Sequence, residues 1–325
     1  MPAPLLELKG LQVEFTTFEG RGVTLDIDRL EVLEGESFGL VGESGSGKSL
    51  TALATLNLVP NPPGRIIRGE VWFQGRDLLR LPPREMGRVR GAQIAAIFQD
   101  PMSSLNPVFT VGEQVTRVLM HHQRLDRKTA YRRAVELLET VRLSDPETVG
   151  RKYPHELSGG MRQRVVIAIA LSCGARLLIA DEATRNLDVT IQAGIIDLLT
   201  ELKCRTGITV LYIANNPAVV AEICDRIGLL YAGQLVEVGP SAAVLAGGGH
   251  PYTRALLAAI PRVGDTREVL EVTEGFPPDP IRPPPGCRFH PRCRRASPEC
   301  QAATPPAVTL GPDHRVYCHH AGWSA

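Results

Sequence analysis

The chain has 325 residues, of which 43% are hydrophobic and 22% charged. That length suits roughly two domains, and the composition excludes a wholly disordered, collagenous or coiled-coil chain. Thirty-six Lys and Arg stand against 35 Asp and Glu, a net charge of +1, so no overall field points to nucleic acid or to an acidic solvating tail.

The opening MPAPLLELKG lacks a basic segment followed by an apolar run. No stretch reaches the ~18 apolar residues of a membrane span, so a cytosolic chain is expected. Residues 1 to about 100 alternate apolar and polar positions in short stretches such as LLELKGLQVEF and RIIRGEVWF, which predicts mostly β structure. From about 105 to 160 the pattern turns helical. In KTAYRRAVELLETV, Tyr131, Ala134, Val135, Leu138 and Val141 recur at spacings of three and four and should line one buried face. Two apolar runs follow, LLIAD (177–181) and ITVLYI (208–213), separated by a helix-length segment; apolar strands alternating with helices imply a parallel sheet covered on both faces. Residues 275–325 hold 11 of the 26 prolines and four of the eight histidines. This tail is expected to be an irregular module that extends neither sheet nor helix and needs a staple.

Residues 42–49, GESGSGKS, fit G-x-x-x-x-G-K-[ST] between the apolar stretch FGLV and the helix-compatible LTALATL. Gly42, Glu43, Ser44, Gly45, Ser46, Gly47, Lys48 and Ser49 are therefore the candidate nucleotide-binding residues. The glycines let successive backbone N–H groups curl around phosphate oxygens, Lys48 can reach the terminal phosphates, and the Ser49 hydroxyl can ligate Mg²⁺. Asp181 and Glu182 close the apolar run LLIAD. Beside a phosphate loop, Asp181 is expected to hold Mg²⁺ through water and Glu182 to act as general base on the attacking water. In LSGGMRQR (157–164), Ser158 can cap a helix while Gly159 and Gly160 admit a phosphate to its positive end. Phe15 is either a base-stacking aromatic or a core residue.

Phosphate loop, Ser-Gly-Gly segment and acidic strand, in this chain order, resemble the ATP-binding cassette of membrane transporters. IFQDPMSSLNPVFTVGEQV (97–115), LDVTIQAGIIDLL (187–199), YAGQLVEVGP (231–240) and HPYTRALLAAIP (250–261) narrow the resemblance to the oligopeptide/dipeptide-permease ATPases, a family that includes nickel-uptake relatives. The resemblance implies an α/β P-loop NTPase fold, with a RecA-like core, an antiparallel β subdomain and a helical subdomain at about 105–160. It divides the chain into an ATPase domain at 1–260 and a small irregular Cys/Pro-rich module at 261–325. It further implies an ABC-type ATPase on the cytoplasmic face of the membrane, bound to two transmembrane permease subunits and supplied indirectly by an extracytoplasmic solute-binding protein, with no nucleic-acid partner. ATP and Mg²⁺ are the implied cofactors. Gln99 would sense Mg²⁺ and the attacking water, and Ser158, Gly159 and Gly160 would clamp the ATP of a second cassette.

The chain departs from the family at two places. Asn215 stands where cassettes carry a histidine that contacts the γ-phosphate; asparagine can donate one hydrogen bond but cannot become cationic. Asn216–Pro217 also reads as an ordinary helix start. After Glu182 the family's Pro-Thr-Thr-Ala-Leu-Asp is replaced by Ala183, Thr184, Arg185, Asn186, Leu187 and Asp188, which puts a cation near the expected cassette interface. The implied consequence is slow hydrolysis at this chain's own phosphate loop and a second, non-identical ATPase subunit. A non-hydrolysing scaffold and a non-transport cassette ATPase are the alternatives. Cys287, Cys293, Cys300 and Cys318 are spaced C-x₅-C-x₆-C-x₁₇-C, a pattern open to zinc, to an iron–sulfur cluster or to unrelated thiols; the family resemblance implies a 4Fe-4S cluster. Cys173, Cys204 and Cys224 are expected to be packing residues.

Overall fold

The computed structural model describes residues 3–185, 187–260 and 273–322. Asn186 and the first twelve residues of the expected C-terminal module, 261–272, lie outside them. Contacts divide the chain into one unit formed by residues 1–80 and 212–325 and another formed by 81–211.

The first unit opens with β1 (Pro4–Thr17) and β2 (Gly20–Leu33), antiparallel partners whose burial alternates along much of their length. Next come β3 (Ser37–Val41), α1 (Lys48–Thr55), β4 (Gly64–Phe73) and the short β5 (Arg76–Asp77). β1 pairs β4 on its other side and β4 pairs β5, giving the sheet order β2-β1-β4-β5. The register slips between Lys9 and Gln12 where Gly69 crosses: a Cβ on Gly69 would stand 2.5 Å from the Gly10 carbonyl oxygen and the Leu11 Cα. Only a residue without a side chain permits that approach.

The second unit carries α2 (Pro83–Val89), β6 (Ile94–Ile97), α3 (Pro101–Ser104), α4 (Val111–Gln123), α5 (Arg127–Thr140), α6 (Pro146–Gly150), α7 (Gly159–Leu171), β7 (Leu177–Asp181) and α8 (Val189–Thr206). β6 and β7 run parallel. All five residues of β7 are buried, as a strand covered on both faces requires. The start of α5 is capped by Asp126, which accepts from the backbone N–H groups of Lys128 and Thr129. Of the five residues expected on its buried face, Ala134, Leu138 and Val141 are buried and Tyr131 and Val135 are half-buried, while Ala130 and Leu137 are buried besides. α4, α6 and α7 all pack against α5, which widens its covered arc to take in Ala130 and Leu137.

β8 (Thr209–Ala214), wholly buried, leads back into the first unit. There follow α9 (Pro217–Ile223), β9 (Arg226–Tyr231), β10 (Gln234–Pro240), α10 (Ser241–Leu245), α11 (Pro251–Ala258), α12 (Pro298–Ala302), β11 (Ala307–Gly311) and β12 (His314–Tyr317). β3 pairs parallel with β9, β9 antiparallel with β10, and β10 with β12 through Glu237↔Val316 and Val238↔Arg315.

The pairing of β12 with β10 corrects the expectation that the proline-rich tail extends no sheet. The β11–β12 hairpin begins just beyond Pro305 and Pro306, and the one later proline, Pro312, falls in its turn, where its missing N–H costs nothing. Cys204 is also corrected: it is exposed on α8, whereas Cys224 is buried and Cys173 is intermediate. Among the described residues no helix is long and apolar enough to cross a membrane.

Candidate functional site: a phosphate loop, an acidic strand end and a glycine-opened helix

β3 delivers the chain into residues 42–49, and α1 begins at Lys48 behind Gly47. Gly45 and Gly47 have φ of +79° and +103°, the left-handed region where a side chain is strained. A Cβ on Gly42 would lie 2.1 Å from the Leu230 carbonyl oxygen, so strand β9 presses directly on the loop. Lys48 is 4% exposed. Its ammonium donates to the carbonyl oxygens of Gly42 at 2.9 Å and Glu43 at 2.8 Å and to Ser46 Oγ at 3.4 Å, so the cation lies within the curve of the loop. The Gly233 N–H donates to the Ser46 carbonyl at 2.8 Å, anchoring the loop's far side to the β9–β10 turn. Ser44 and Ser49 are exposed and Ser46 is buried. Glu43 has a different setting from its neighbours. Its N–H donates to the Tyr252 hydroxyl at 2.8 Å, and its carboxylate accepts from Arg292.

In the second unit, Asp181 ends β7 and is 4% exposed. The next residue, Glu182, has φ +47°, a strained backbone for a non-glycine residue of the kind that concentrates at functional sites. Glu182 Oε2 accepts from Arg185 Nη1 at 2.6 Å, and the Arg185 N–H donates to the Glu182 carbonyl at 2.9 Å. The substituted segment thus folds its cation back onto the carboxylate two residues after the strand's last buried aliphatic. Gln99 is half-buried, two residues beyond the end of β6. It immediately precedes Asp100, which caps α3 by accepting from the N–H groups of Met102 and Ser103.

Ser158 is the N-cap of α7: its Oγ accepts from the Met161 N–H at 3.3 Å. Gly159 and Gly160 open the helix for different reasons. A Cβ on Gly160 would stand 2.8 Å from Ile191 Cγ2, so this glycine makes room for α8. At Gly159 the nearest atom is Leu187 Cδ2 at 3.5 Å, ordinary contact; this is the glycine that leaves the helix's positive end open.

Back in the first unit, Asn215 follows β8, and Asn216 caps α9 by accepting from the Ala218 N–H at 2.9 Å, with Pro217 at the first helical position. Phe15 is half-buried; its ring lies over Gly64, whose Cβ would come within 2.8 Å of Phe15 Cζ. The ring therefore packs in the sheet on one face, which serves the core reading without removing the stacking one.

Cys287, Cys300 and Cys318 are buried and Cys293 is intermediate. Burial pushes the Cys287 thiol up to about 11, with the other three thiols adding to the effect, and raises Cys293 and Cys318 in the same direction. The four are thus neighbours, although the first and last are 31 positions apart. Backbone N–H groups of Arg295 and His320 donate to Cys293 and Cys318, and Ser297 Oγ lies 3.4 Å from Cys300 Sγ. Such donors suit thiolates rather than thiols. Among the described residues no group of three or more His, Cys, Asp or Glu is drawn together to hold a metal ion. Zinc needs all four sulfurs converged at ~2.3 Å from one point, so its donor set is not assembled. The same holds for an iron–sulfur cluster: what the described residues supply is four cysteines in one region with N–H or O–H donors beside three of them.

Two groups near the phosphate loop escape motif reading, Tyr252 and Arg292. Tyr252 lies within HPYTRALLAAIP, which marks a family but gives no hint of a partner at Glu43. Arg292 carries no sequence signal at all beyond its place next to Cys293.

The ABC transporter family profile matches residues 25–185, and the profile of the oligopeptide/dipeptide transporter C-terminal region matches 236–300. The chain is 45% identical over 318 residues to the oligopeptide transport ATP-binding protein OppD of Bacillus subtilis, covering 96% of this chain and 87% of that protein. It is 40% identical over 319 residues to the dipeptide transport ATP-binding protein DppD of the same organism, covering 97% and 94%. Among solved structures it is similar to the dimeric ATP-binding cassette MJ0796 in a post-hydrolysis state bound to ADP and Pi, with TM-score 0.65 and 28% identity over 73% of this chain and 98% of that one. The fold and its phosphate loop define an ATP-binding cassette ATPase. More narrowly, the chain belongs to the ABC transporter ATP-binding proteins of the oligopeptide/dipeptide type.

Proposed function

We propose that this chain is the ATP-binding subunit of an importer for peptides or a related small solute, acting at the cytoplasmic face of the membrane against two permease subunits. The observation that carries the reading is the phosphate loop with the Lys48 ammonium folded into its curve, within a chain that matches peptide-transport ATPases over nearly all its length. The backbone of residues 42–49 wraps the triphosphate, and Lys48 exchanges its carbonyl partners for phosphate oxygens. Ser49, Asp181 and Gln99 are the oxygen donors that would hold Mg²⁺, and the hydroxyl and carboxylate among them suit a hard cation. When bound, Mg²⁺ neutralises charge on the transferred phosphoryl group. Glu182 accepts a proton from the attacking water. Ser158, Gly159 and Gly160 present a helix N-terminus to the nucleotide of a second cassette. ATP must bind the closed pair of cassettes more tightly than the open pair, since only differential affinity shifts such an equilibrium.

Hydrolysis at this chain's own loop is slow in this reading, and the second cassette is a different protein. Two observations support it: one Glu182 oxygen is taken up by Arg185, and Asn215 cannot supply the cation of a histidine. The domain division at about residue 260 and the 4Fe-4S assignment to Cys287, Cys293, Cys300 and Cys318 belong to the same proposal; the cluster would supply a fixed cross-link among segments that are poor in core residues.

The test is magnesium-dependent nucleotide binding by the full chain, then peptide-stimulated ATP hydrolysis by the chain co-purified with its permeases and partner ATPase. No magnesium-dependent affinity for adenine nucleotides, alone or assembled, overturns the reading. Near wild-type turnover after replacing the partner's catalytic glutamate by Gln overturns the slow-site part. A colourless anaerobic preparation removes the cluster.

A further inference from the structure

The second residue of the phosphate loop is held by side chains that come from far along the sequence. Arg292 Nη1 donates to Glu43 Oε2 at 2.8 Å and Nη2 to Glu43 Oε1 at 3.2 Å, a two-pronged pair. The Arg292 side chain is 8% exposed and Glu43 is 27% exposed. Nη1 also donates to the Tyr231 hydroxyl at 3.2 Å, and Nε donates to the Glu274 carbonyl at 3.3 Å, so the guanidinium plane is fixed before it meets Glu43. On the backbone side, the Glu43 N–H is taken by the Tyr252 hydroxyl. Tyr252 is 1% exposed, and its ring packs against Tyr231 and Phe289 at centroid distances of 4.7 and 5.5 Å.

Phe289 and Arg292 belong to one short turn. Its hydrogen bonds run from His290 N–H to the Cys287 carbonyl, from Arg292 N–H to the Phe289 carbonyl and from Cys293 N–H to the His290 carbonyl. The turn that carries two of the clustered cysteines therefore also carries the aromatic and the cation that fix Glu43. A carboxylate so close to a triphosphate site works against anion binding by plain electrostatics. An acidic residue there, tied to a buried arginine, is explained if the tie sets the loop's shape.

We propose that Arg292 and Tyr252 are positioning residues for nucleotide binding: through Glu43 they hold the phosphate loop in its binding curve, which makes the cysteine-bearing turn 287–293 part of this chain's ATP site. The inference rests on residues 42–49 being the nucleotide loop. The ion pair and the tyrosine act on the loop backbone and touch no phosphate themselves. Disturbing the turn, by replacing Arg292 or by releasing Cys287 and Cys293 from whatever they hold, loosens the loop and weakens ATP.

The experiment measures MgATP affinity of the full chain by equilibrium titration with a fluorescent ATP analogue, for the natural sequence, Arg292→Gln, Arg292→Lys, Glu43→Gln and the double variant Arg292→Gln/Glu43→Gln. Glu43→Gln is the decisive arm. Charge alone predicts tighter binding when a carboxylate near the phosphates is removed, whereas positioning predicts weaker binding. The expected result is that Kd rises about 10-fold for either Gln variant, about 1.4 kcal/mol, that the double variant is no weaker than the singles, and that Arg292→Lys recovers part of the loss. The nucleotide-free thermal midpoint of Glu43→Gln falls, since Arg292 loses its counter-charge, but the chain stays folded at the temperature of the titration, so the loss in affinity is read on folded protein. Natural or tighter affinity in Glu43→Gln, or additive losses in the double variant, overturns the proposal. If Arg292→Gln fails to fold, Glu43→Gln decides alone. Failure of the natural chain to bind MgATP would instead strike the proposed function.

Discussion

Glu237 is the centre of a fully enclosed polar cluster, and replacing it by Gln gives the most direct reading of how the first unit is held together. The residue is 0% exposed. Oε1 accepts from the Gly249 N–H at 2.7 Å and lies 2.8 Å from His314 Nε2; Oε2 accepts from the His250 N–H at 2.9 Å and the Thr253 hydroxyl at 2.6 Å. A glutamine keeps the shape but has one oxygen. With its amide nitrogen at the Oε2 position, Thr253 can rotate to accept, but the His250 N–H then faces another donor. With the nitrogen at the Oε1 position, His314 can change tautomer, but the Gly249 N–H faces a donor. Either choice strands one buried backbone N–H, costing about 1–3 kcal/mol, and loses the charge-assisted share of the rest, so about 3 kcal/mol in total is expected. Urea unfolding of Glu237→Gln, followed by circular dichroism, should show a lowered midpoint with an unchanged slope. A free energy within about 0.5 kcal/mol of the natural chain would refute the claim that this carboxylate organises strand β10, the start of helix α11 and strand β12, since that is the ordinary range for a surface change.

Three other outcomes are expected. Lys48→Ala removes the cation from the loop's curve and should abolish detectable MgATP binding, a loss of at least about 100-fold in Kd for a buried charge contact; binding retained within a few-fold contradicts the assignment of the loop. Arg185→Thr frees Glu182 Oε2 and should raise turnover at this chain's own site about 1.5- to 5-fold, as suits a half-exposed ion pair. It is measured in the assembled complex with the partner's catalytic glutamate replaced, and unchanged or lower turnover counts against an inhibitory arginine. His250 is lowered by burial from 6.5 to about 3. Between those values the unfolded chain binds the proton and the folded chain does not, so stability is intact above about pH 6.5 and falls with acidification, by up to ~1.4 kcal/mol per pH unit. His250→Asn, which keeps an acceptor for the Tyr252 N–H, should flatten the stability profile between pH 6 and 4; an unaltered slope excludes His250 as its source.

Sequence reading succeeded where the physics is local. The phosphate loop, the buried strand ending at Asp181 and the Ser158 cap each depend on a few consecutive residues, and each stands where the spacing placed it. On α5 the spacing identifies Ala134, Leu138 and Val141, but Ala130 and Leu137 are covered as well because three helices pack against it. The β11–β12 hairpin was hidden by proline density around it, although its own strand residues are proline-free. The ties that converge on Glu43 and Glu237 were invisible for a plainer reason. Arg292 is 249 positions from Glu43, and His314 is 77 from Glu237; no periodicity or motif links residues across such separations. Arg185 was legible as an oddity, but its return onto Glu182 required the turn at φ +47°.

The same 249-residue separation has a consequence for how the protein is made. A ribosome adding about 5–20 residues each second needs roughly 12–50 s to travel from Glu43 to Arg292. Throughout that interval the emerging polypeptide exposes its glycine-rich segment without the guanidinium that braces it. If Arg292 braces the loop as proposed, nascent and truncated products hold ATP about 10-fold more weakly than the finished chain.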